Sequence, residues 1–328
     1  MKKLFSLTMV CLLLLGSVFP SYAYSVGEKT SIDGWELSAK RFAAKCNGTD
    51  DVALAESILS ELGMSEAYIA QLPEDKKIEI ANAVSIQKVT EYAKVTEDAV
   101  EVPLTEQAYL QAEQEIDAVQ SSGIQPYAQG DNWHEPGTDS LFKKDLYIYE
   151  TKNAPKGTYG IIVAYSWKNL PLHYHGEDII SVSGEHLVFA RNSFGMSMNY
   201  TYTQTISSSI TTHHEDYYYD MNNLKKEGCL KQEAYGISFQ FNLPNNIYSI
   251  QASRVYTNAD FLMMVSGAID TPRTEVRFNV YGKYFHQHLG LGSLGVSVNI
   301  NGASVSVSPK LCYTSYDIQT REQLVFIP

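Results

Sequence analysis

The chain has 328 residues, of which 44% are hydrophobic, and its 37 acidic and 25 basic side chains give a formal net charge of −12. This apolar content excludes a globally disordered protein. The negative charge argues against a nucleic-acid partner, because binding to a phosphate backbone depends on an excess of lysine and arginine.

The first 23 residues have the pattern of a removable secretory signal peptide. Two lysines follow Met1, residues 4–19 are mostly apolar, and Ser21-Tyr22-Ala23 places small residues where a signal peptidase cuts. The apolar stretch is shorter than the roughly 20 residues that span a bilayer. We therefore predict cleavage after Ala23 and a secreted, extracellular product without a transmembrane helix, either soluble or associated with the cell wall.

Residues 24–120 are predicted to form an acidic helical region, either a packed bundle or a prodomain-like segment. They hold 19 acidic and 8 basic side chains, and their apolar residues recur three and four positions apart. Start, cap and stop signals predict three helices in it, at Asp51 to Gly63, Pro73 to Tyr92 and Thr105 to Val119.

Residues 121–131 are rich in glycine, serine and other turn-forming residues and predict a linker, and beyond them the apolar period changes to two. Residues 132–328 therefore predict an antiparallel β-sandwich or β-barrel domain, and the fold class is α+β. Strands are expected near 145–150, 159–167, 178–190, 196–207, 237–242, 247–256, 260–268, 276–281 and 311–316.

Asn301-Gly302 predicts a β-hairpin, because a type I′ turn needs positive φ at both central residues and this dipeptide provides it. A two-residue loop at this position would pair Ile300 with Ala303 and Val298 with Val305. The valines then share one face and the serines the other.

Two His-x-His pairs are candidate metal ligands, since alternate side chains of a strand share a face. The candidates are His173, His175, Glu177, His286 and His288. They suit a divalent metal cofactor, but the alternative is that these histidines are solvated or hydrogen-bonded residues at strand ends. A third polar run, His-His-Glu-Asp at residues 213–216, is predicted to be an exposed loop.

Tyrosine is concentrated in the second half, where 18 of the 23 tyrosines lie. Tyrosines on a sheet face offer flat amphipathic contacts to sugars or proteins, although core packing uses them equally well. Five are candidate ligand contacts: Tyr200, Tyr202, Tyr217, Tyr218 and Tyr219.

Three cysteines follow the predicted cleavage site, and an exported protein meets an oxidising compartment where disulfides persist. Cys229 and Cys312 are the candidate disulfide, which would leave Cys46 free. The alternative is that all three are buried thiols.

The sequence predicts a β-rich binding protein that acts at or near the cell envelope, with an envelope component, an extracellular protein or a glycan as partner. No Gly-x-Ser-x-Gly, His-Glu-x-x-His or phosphate-loop motif is present. The first alternative is an extracellular enzyme that depends on a metal or on carboxylates. The second is a protein that inserts β-hairpins into a membrane, because serine and threonine alternate with valine or tyrosine in residues 196–212 and 294–308. Oligomeric state is left open.

Overall fold

The computed structural model describes residues 51–83, 85–96, 99–121, 140–150, 154–155, 157–170, 177–206, 209–224, 230–244, 246–248, 252–270, 276–287, 297–301, 304–308, 313–319 and 324–326. The predicted signal peptide, the three cysteines after it and nearly all of the predicted linker lie outside these residues. Within the described ranges, no helix is long and apolar enough to cross a membrane.

Four helices and eighteen strands lie in the described part of the chain. The helices are α1 (Asp51–Glu61), α2 (Glu66–Gln71), α3 (Glu74–Ala81) and α4 (Glu106–Ser121). The strands are β1 (Ser85–Val95), β2 (Glu101–Leu104), β3 (Ser140–Glu150), β4 (Thr158–Lys168), β5 (Glu177–Gly184), β6 (Leu187–Phe189), β7 (Gly195–Ile206), β8 (Ser209–Asp220), β9 (Leu230–Glu233), β10 (Gly236–Asn242), β11 (Ile247–Tyr248), β12 (Ala252–Ile269), β13 (Val276–Phe278), β14 (Val280–Gln287), β15 (Ser297–Asn301), β16 (Ser304–Ser308), β17 (Tyr313–Gln319) and β18 (Leu324–Phe326).

Two large antiparallel sheets hold fourteen of these strands, and the other four form the two-stranded pairs β13–β18 and β15–β16. Sheet A has the order β2-β1-β3-β4-β12-β7-β8, and β6 and β11 also pair with β12. Sheet B has the order β17-β14-β5-β10-β9. Among the described residues, the first and last strands of sheet A are not hydrogen-bonded to each other, and the same is true of sheet B. Neither sheet is closed into a barrel, so the β domain is a sandwich of two open sheets.

The main core lies between the facing surfaces of the two sheets. Phe142 and Trp167 of sheet A meet Tyr316 of sheet B, with ring centroids 5.1 and 5.6 Å from the Tyr316 ring. Tyr284 of sheet B packs beside them, 5.7 Å from the Phe142 ring. All four side chains are buried, and such aromatic pairs each add about 0.5–1.5 kcal/mol beyond the burial of area.

Helices α1 to α3 cover the other face of sheet A. Leu59 and Tyr68 share a core with Tyr149, Ile162 and Leu262 of the sheet. On the far side of the molecule, the β15–β16 hairpin covers the outer face of sheet B. The described helices and sheets are therefore stacked in layers, and sheet A is buried on both faces beneath α1 to α3.

Two predicted helix boundaries are confirmed, the end of α1 and the start of α4. Gly63 follows the end of α1 with a φ of +75°, the left-handed conformation that favours glycine. Thr105 caps α4, because its hydroxyl accepts a hydrogen bond from the amide of Ala108 at 3.2 Å.

The predicted helix from Pro73 to Tyr92 is wrong in its second half. Helix α3 ends at Ala81, and β1 then pairs with β3 over its whole length. Strand β1 has partly buried apolar residues on both faces: Ile86 packs with the helices, and Val89 packs toward sheet B. A strand covered on both faces loses its strict alternation, and its apolar spacing can then resemble that of a helix.

The predicted hairpin near residue 301 is confirmed, but its register is not. Asn301 pairs with Ser304, and Ile300 pairs with Val305 instead of Ala303. This shift moves the pairing by two residues and leaves every described side chain on its predicted face. The apolar pattern therefore cannot distinguish the two registers.

Candidate binding site

All five candidate tyrosines lie on the β7–β8 hairpin at the end of sheet A. Tyr200 and Tyr202 face sheet B and are buried, at 3% and 6% exposure. Tyr219 is half-buried against the same core. Tyr217 and Tyr218 are exposed, at 42% and 40%, and lie on opposite faces of β8 because they are consecutive.

The run His-His-Glu-Asp at residues 213–216 is part of strand β8, so its prediction as a loop is wrong. Strand β8 pairs with β7 from Ser209 to Asp220 without a break in register. Because β8 is the last strand of the sheet and is largely exposed, it has no buried face that would require apolar alternation.

A β-bulge in β12 brings two further side chains to the face that holds Tyr202. Tyr256 pairs with Tyr202 and Asn258 with Thr201, so Thr257 is an extra residue in β12. An extra residue reverses the alternation of the strand beyond it. Arg254 and Tyr256 are thereby turned toward the face of Tyr202 instead of the opposite face of sheet A.

We call Tyr202, His213, Glu215, Arg254 and Tyr256 the tyrosine–arginine cluster. The Arg254 guanidinium lies 4.4 Å from the centre of the Tyr202 ring, within the range of a cation–π interaction. The His213 ring stacks on Tyr202 with centroids 5.1 Å apart, and the Tyr256 ring lies at 5.1 Å from it. Three strands thus fix one aromatic ring from several sides.

Glu215 joins the cluster to exposed Tyr217. Its carboxylate accepts hydrogen bonds from Tyr217 at 3.3 Å and Tyr256 at 3.4 Å, and it lies 3.4 Å from Nη1 of Arg254. Arg254 also donates to the Tyr256 hydroxyl at 3.3 Å. The bond from Tyr217 to Glu215 thus connects the exposed tyrosine to the buried part of the cluster.

The two tyrosines bonded to Glu215 stay protonated near neutral pH. Burial raises the pKa of Tyr256 above its ordinary value; the hydrogen bond from Arg254 opposes this, and Glu215 adds to it. Burial and then Glu215 raise the pKa of Tyr217. Both hydroxyls therefore remain donors to the carboxylate.

The cluster offers a ligand one exposed ring beside partly exposed charged groups. The side chains of Arg254 and Glu215 are 33% and 27% exposed, next to Tyr217. An aromatic ring flanked by donors and acceptors suits a sugar ring or a polypeptide surface. The cluster residues on β12 could not be found from local sequence, because β12 follows β7 by about fifty residues and reaches the site only through the bulge.

The structure places two of the five candidate metal ligands, and they face opposite sides of sheet B. Glu177 accepts a hydrogen bond from Gln240 at 2.5 Å, on the side of the β15–β16 hairpin. His286 is buried between the sheets. His173, His175 and His288 lie outside the described residues.

His286 is bound to a buried carboxylate. Its Nδ1 lies 3.0 Å from Oδ2 of Asp178, and this same carboxylate accepts hydrogen bonds from the Tyr284 hydroxyl and, at 3.1 Å, from the amide of Gln287. The His286 ring, the Tyr284 hydroxyl and the Gln287 amide thus surround one buried carboxyl group. In the described ranges no three His, Cys, Asp or Glu side chains come together, so the metal site stays a prediction.

Both faces of the β7–β8 hairpin carry ionisable side chains. The face with Tyr200 and Tyr202 includes Glu215, and the other includes His214 and Asp216. A charge on the lipid-facing side of a membrane strand costs free energy, about 2–4 kcal/mol for a basic residue at the midplane and less for an acid. Insertion of this hairpin into a bilayer stays a prediction that this charge distribution disfavours.

No protein-family model matches the chain, and no curated protein matches it. Among solved structures, a collagen-binding domain from a Staphylococcus aureus adhesin shows 12% identity over 50% of this chain and 87% of that one, with a TM-score of 0.25. The collagen-binding subdomain of the Enterococcus faecalis surface protein ACE shows 11% identity over 51% and 89%, with a TM-score of 0.23. Clostridium perfringens delta-toxin shows 7% identity over 71% and 89%, with a TM-score of 0.22. None of these similarities assigns a function.

Proposed function

We propose that the chain is a secreted binding protein that acts at or near the cell envelope, with Tyr217 and the exposed edge of the tyrosine–arginine cluster as its ligand surface. The observation that carries this proposal is the state of Tyr217, which is exposed and yet hydrogen-bonded to Glu215. An aromatic side chain that is already held in place loses little conformational entropy when a ligand binds.

The chemistry of this surface favours a neutral or mixed-charge ligand, such as an envelope glycan or an extracellular protein. Tyr217 supplies a ring face for stacking, and Arg254 and Glu215 supply one donor group and one acceptor group. The net charge of −12 would repel a strongly anionic polymer.

Replacing Tyr217 by alanine is expected to weaken ligand binding by about 30-fold, the equivalent of roughly 2 kcal/mol for a central aromatic contact. The measurement is a binding isotherm of the purified secreted chain on an immobilised cell-wall fraction of the producing organism, followed by the same comparison on a glycan array.

Tyr218→Ala is the matched control, because Tyr218 is the next residue, is equally exposed and points to the opposite face. It should bind like the unaltered chain. If Tyr217→Ala binds the ligand as tightly as the unaltered chain, or if only Tyr218→Ala loses affinity, the proposed surface is wrong. Circular dichroism of both variants checks that the sheet is intact.

Secretion is tested separately by native mass spectrometry of the protein recovered from culture medium. We expect a chain that begins at Tyr24 and retains α1 to α3, because removing them would expose Tyr149, Ile162 and Leu262 on sheet A. A chain that begins near Gly130 would show that the helical region is removed. A metal mass that is lost on denaturation would support the enzyme alternative.

A further inference from the structure

Strand β8 is a long sheet edge whose outer side pairs with no other strand within the described residues. Its last residues are capped, because the Asn223 side chain donates to the Tyr218 carbonyl at 2.9 Å and accepts from the Asp220 amide at 2.6 Å. It has twelve residues, no proline, no lysine and no bulge against β7. The other outer strands of the two large sheets are short or blocked. Strand β2 has four residues including Pro103, and β9 has four residues including Lys231. On β17, the carbonyl of Asp317 accepts a hydrogen bond from Lys144 at 2.9 Å. Natural sheets use short strands, prolines and charged side chains, lysine above all, to prevent further pairing. Strand β8 has no proline or lysine, and its charged residues are the acids Glu215, Asp216 and Asp220.

We propose that β8 pairs antiparallel with β8 of a second copy of this chain, forming a two-fold dimer in which sheet A continues from one copy into the other. The inference uses the backbone edge of β8 and not the ligand of Tyr217, so it stands independently of the proposed function. A two-fold, self-complementary interface is the commonest form of soluble homo-oligomer.

Symmetry limits the register of this pairing. A continuous antiparallel sheet requires the two-fold axis to be perpendicular to it, so that the same face of both copies lies on the same side. Opposed residues must then both be even-numbered or both be odd-numbered. The two longest registers place either His214 or Glu215 on the axis, and they pair residues 209–219 or 210–220.

Charge selects the register with His214 on the axis. Each register places a histidine opposite a carboxylate twice: His213 opposite Glu215 in the first, and His214 opposite Asp216 in the second. The second register also places the two Glu215 carboxylates opposite each other, which the first does not. Like charges directly opposite on a sheet are destabilising, and opposite charges are stabilising.

The substitution His214→Cys tests both the dimer and its register. A residue on the two-fold axis lies opposite itself, at a Cα separation of about 4.5–5.5 Å, which falls in the range that a disulfide bridges. Under mild oxidation we expect a covalent dimer on non-reducing gels, with a peptide linked through residue 214 of both copies. Peptide mapping by mass spectrometry separates this link from any that involves Cys46, Cys229 or Cys312.

Thr212→Cys is the control. Its counterpart in the second copy lies four residues along the strand, at about 14 Å, which is too far for a disulfide. The unaltered chain should also sediment as a dimer whose share rises with concentration. A monomer at all concentrations, which is also the result if another segment of the chain covers β8, would overturn the proposal, as would equal cross-linking at residues 212 and 214.

Discussion

We expect Asp178→Ala to lower the free energy of unfolding by about 3–5 kcal/mol, the usual cost of removing one partner from a buried polar network. Asp178 is fully buried, and its carboxylate accepts hydrogen bonds from Tyr284, His286 and the amide of Gln287. Alanine would leave these donors without their acceptor in the layer between the sheets. The measurement is urea-induced unfolding followed by tryptophan fluorescence, since Trp167 lies 6.0 Å from the His286 ring.

Asp178→Asn is the matched variant, because asparagine has nearly the same volume and keeps one acceptor oxygen. It should lose less stability than Asp178→Ala, since part of the donor set stays satisfied. If both variants unfold at the same urea concentration as the unaltered chain, the network does not stabilise the sandwich.

We expect Gly282→Val to lower the free energy of unfolding by about 1–3 kcal/mol, the usual range when volume is added to a packed core. A Cβ at this position would lie 2.7 Å from Val163 and 2.9 Å from both Ile318 and the Tyr165 hydroxyl. Val163 and Tyr165 belong to sheet A and Gly282 to sheet B, so glycine sets the distance between the two sheets here. Thermal unfolding by circular dichroism measures the effect.

Gly195→Ala is the control for Gly282→Val, together with Gly282→Ala as the smaller step. A Cβ at Gly195 meets the far ends of two side chains, Met264 and Tyr218, each at 3.1 Å. These ends can move, so Gly195→Ala should change the melting temperature less than Gly282→Ala. The opposite order would show that the sheets separate more easily than their packing suggests.

The β-sandwich could be predicted from sequence where strands have one buried face. Strand β10 is an example, because Ile237, Phe239 and Phe241 alternate with polar residues and do face the core. The same reasoning failed where burial is not limited to one face. Strand β1 is partly buried on both faces and was predicted as helix, and β8 is largely exposed and its residues 213–216 were predicted as a loop.

The candidate binding site could be predicted only in part, because its residues meet through pairing between distant segments. Tyr202 and Tyr217 stand out by composition, but Arg254 and Tyr256 do not. Their position depends on the pairing of β12 with β7 and on the extra residue Thr257. Local periodicity carries no information on which strands become neighbours.

The order of strands in sheet A also determines when the sheet can form during synthesis. Strand β12 lies between β4 and β7, so these two earlier strands have no common partner until residues 252–269 have left the ribosome. Before that point the chain holds two incomplete sheet edges, at which pairing with other unfolded chains is the main hazard. Contacts so distant in sequence also make folding slow. The late arrival of one long strand therefore delays the completion of sheet A until most of the chain has been synthesised.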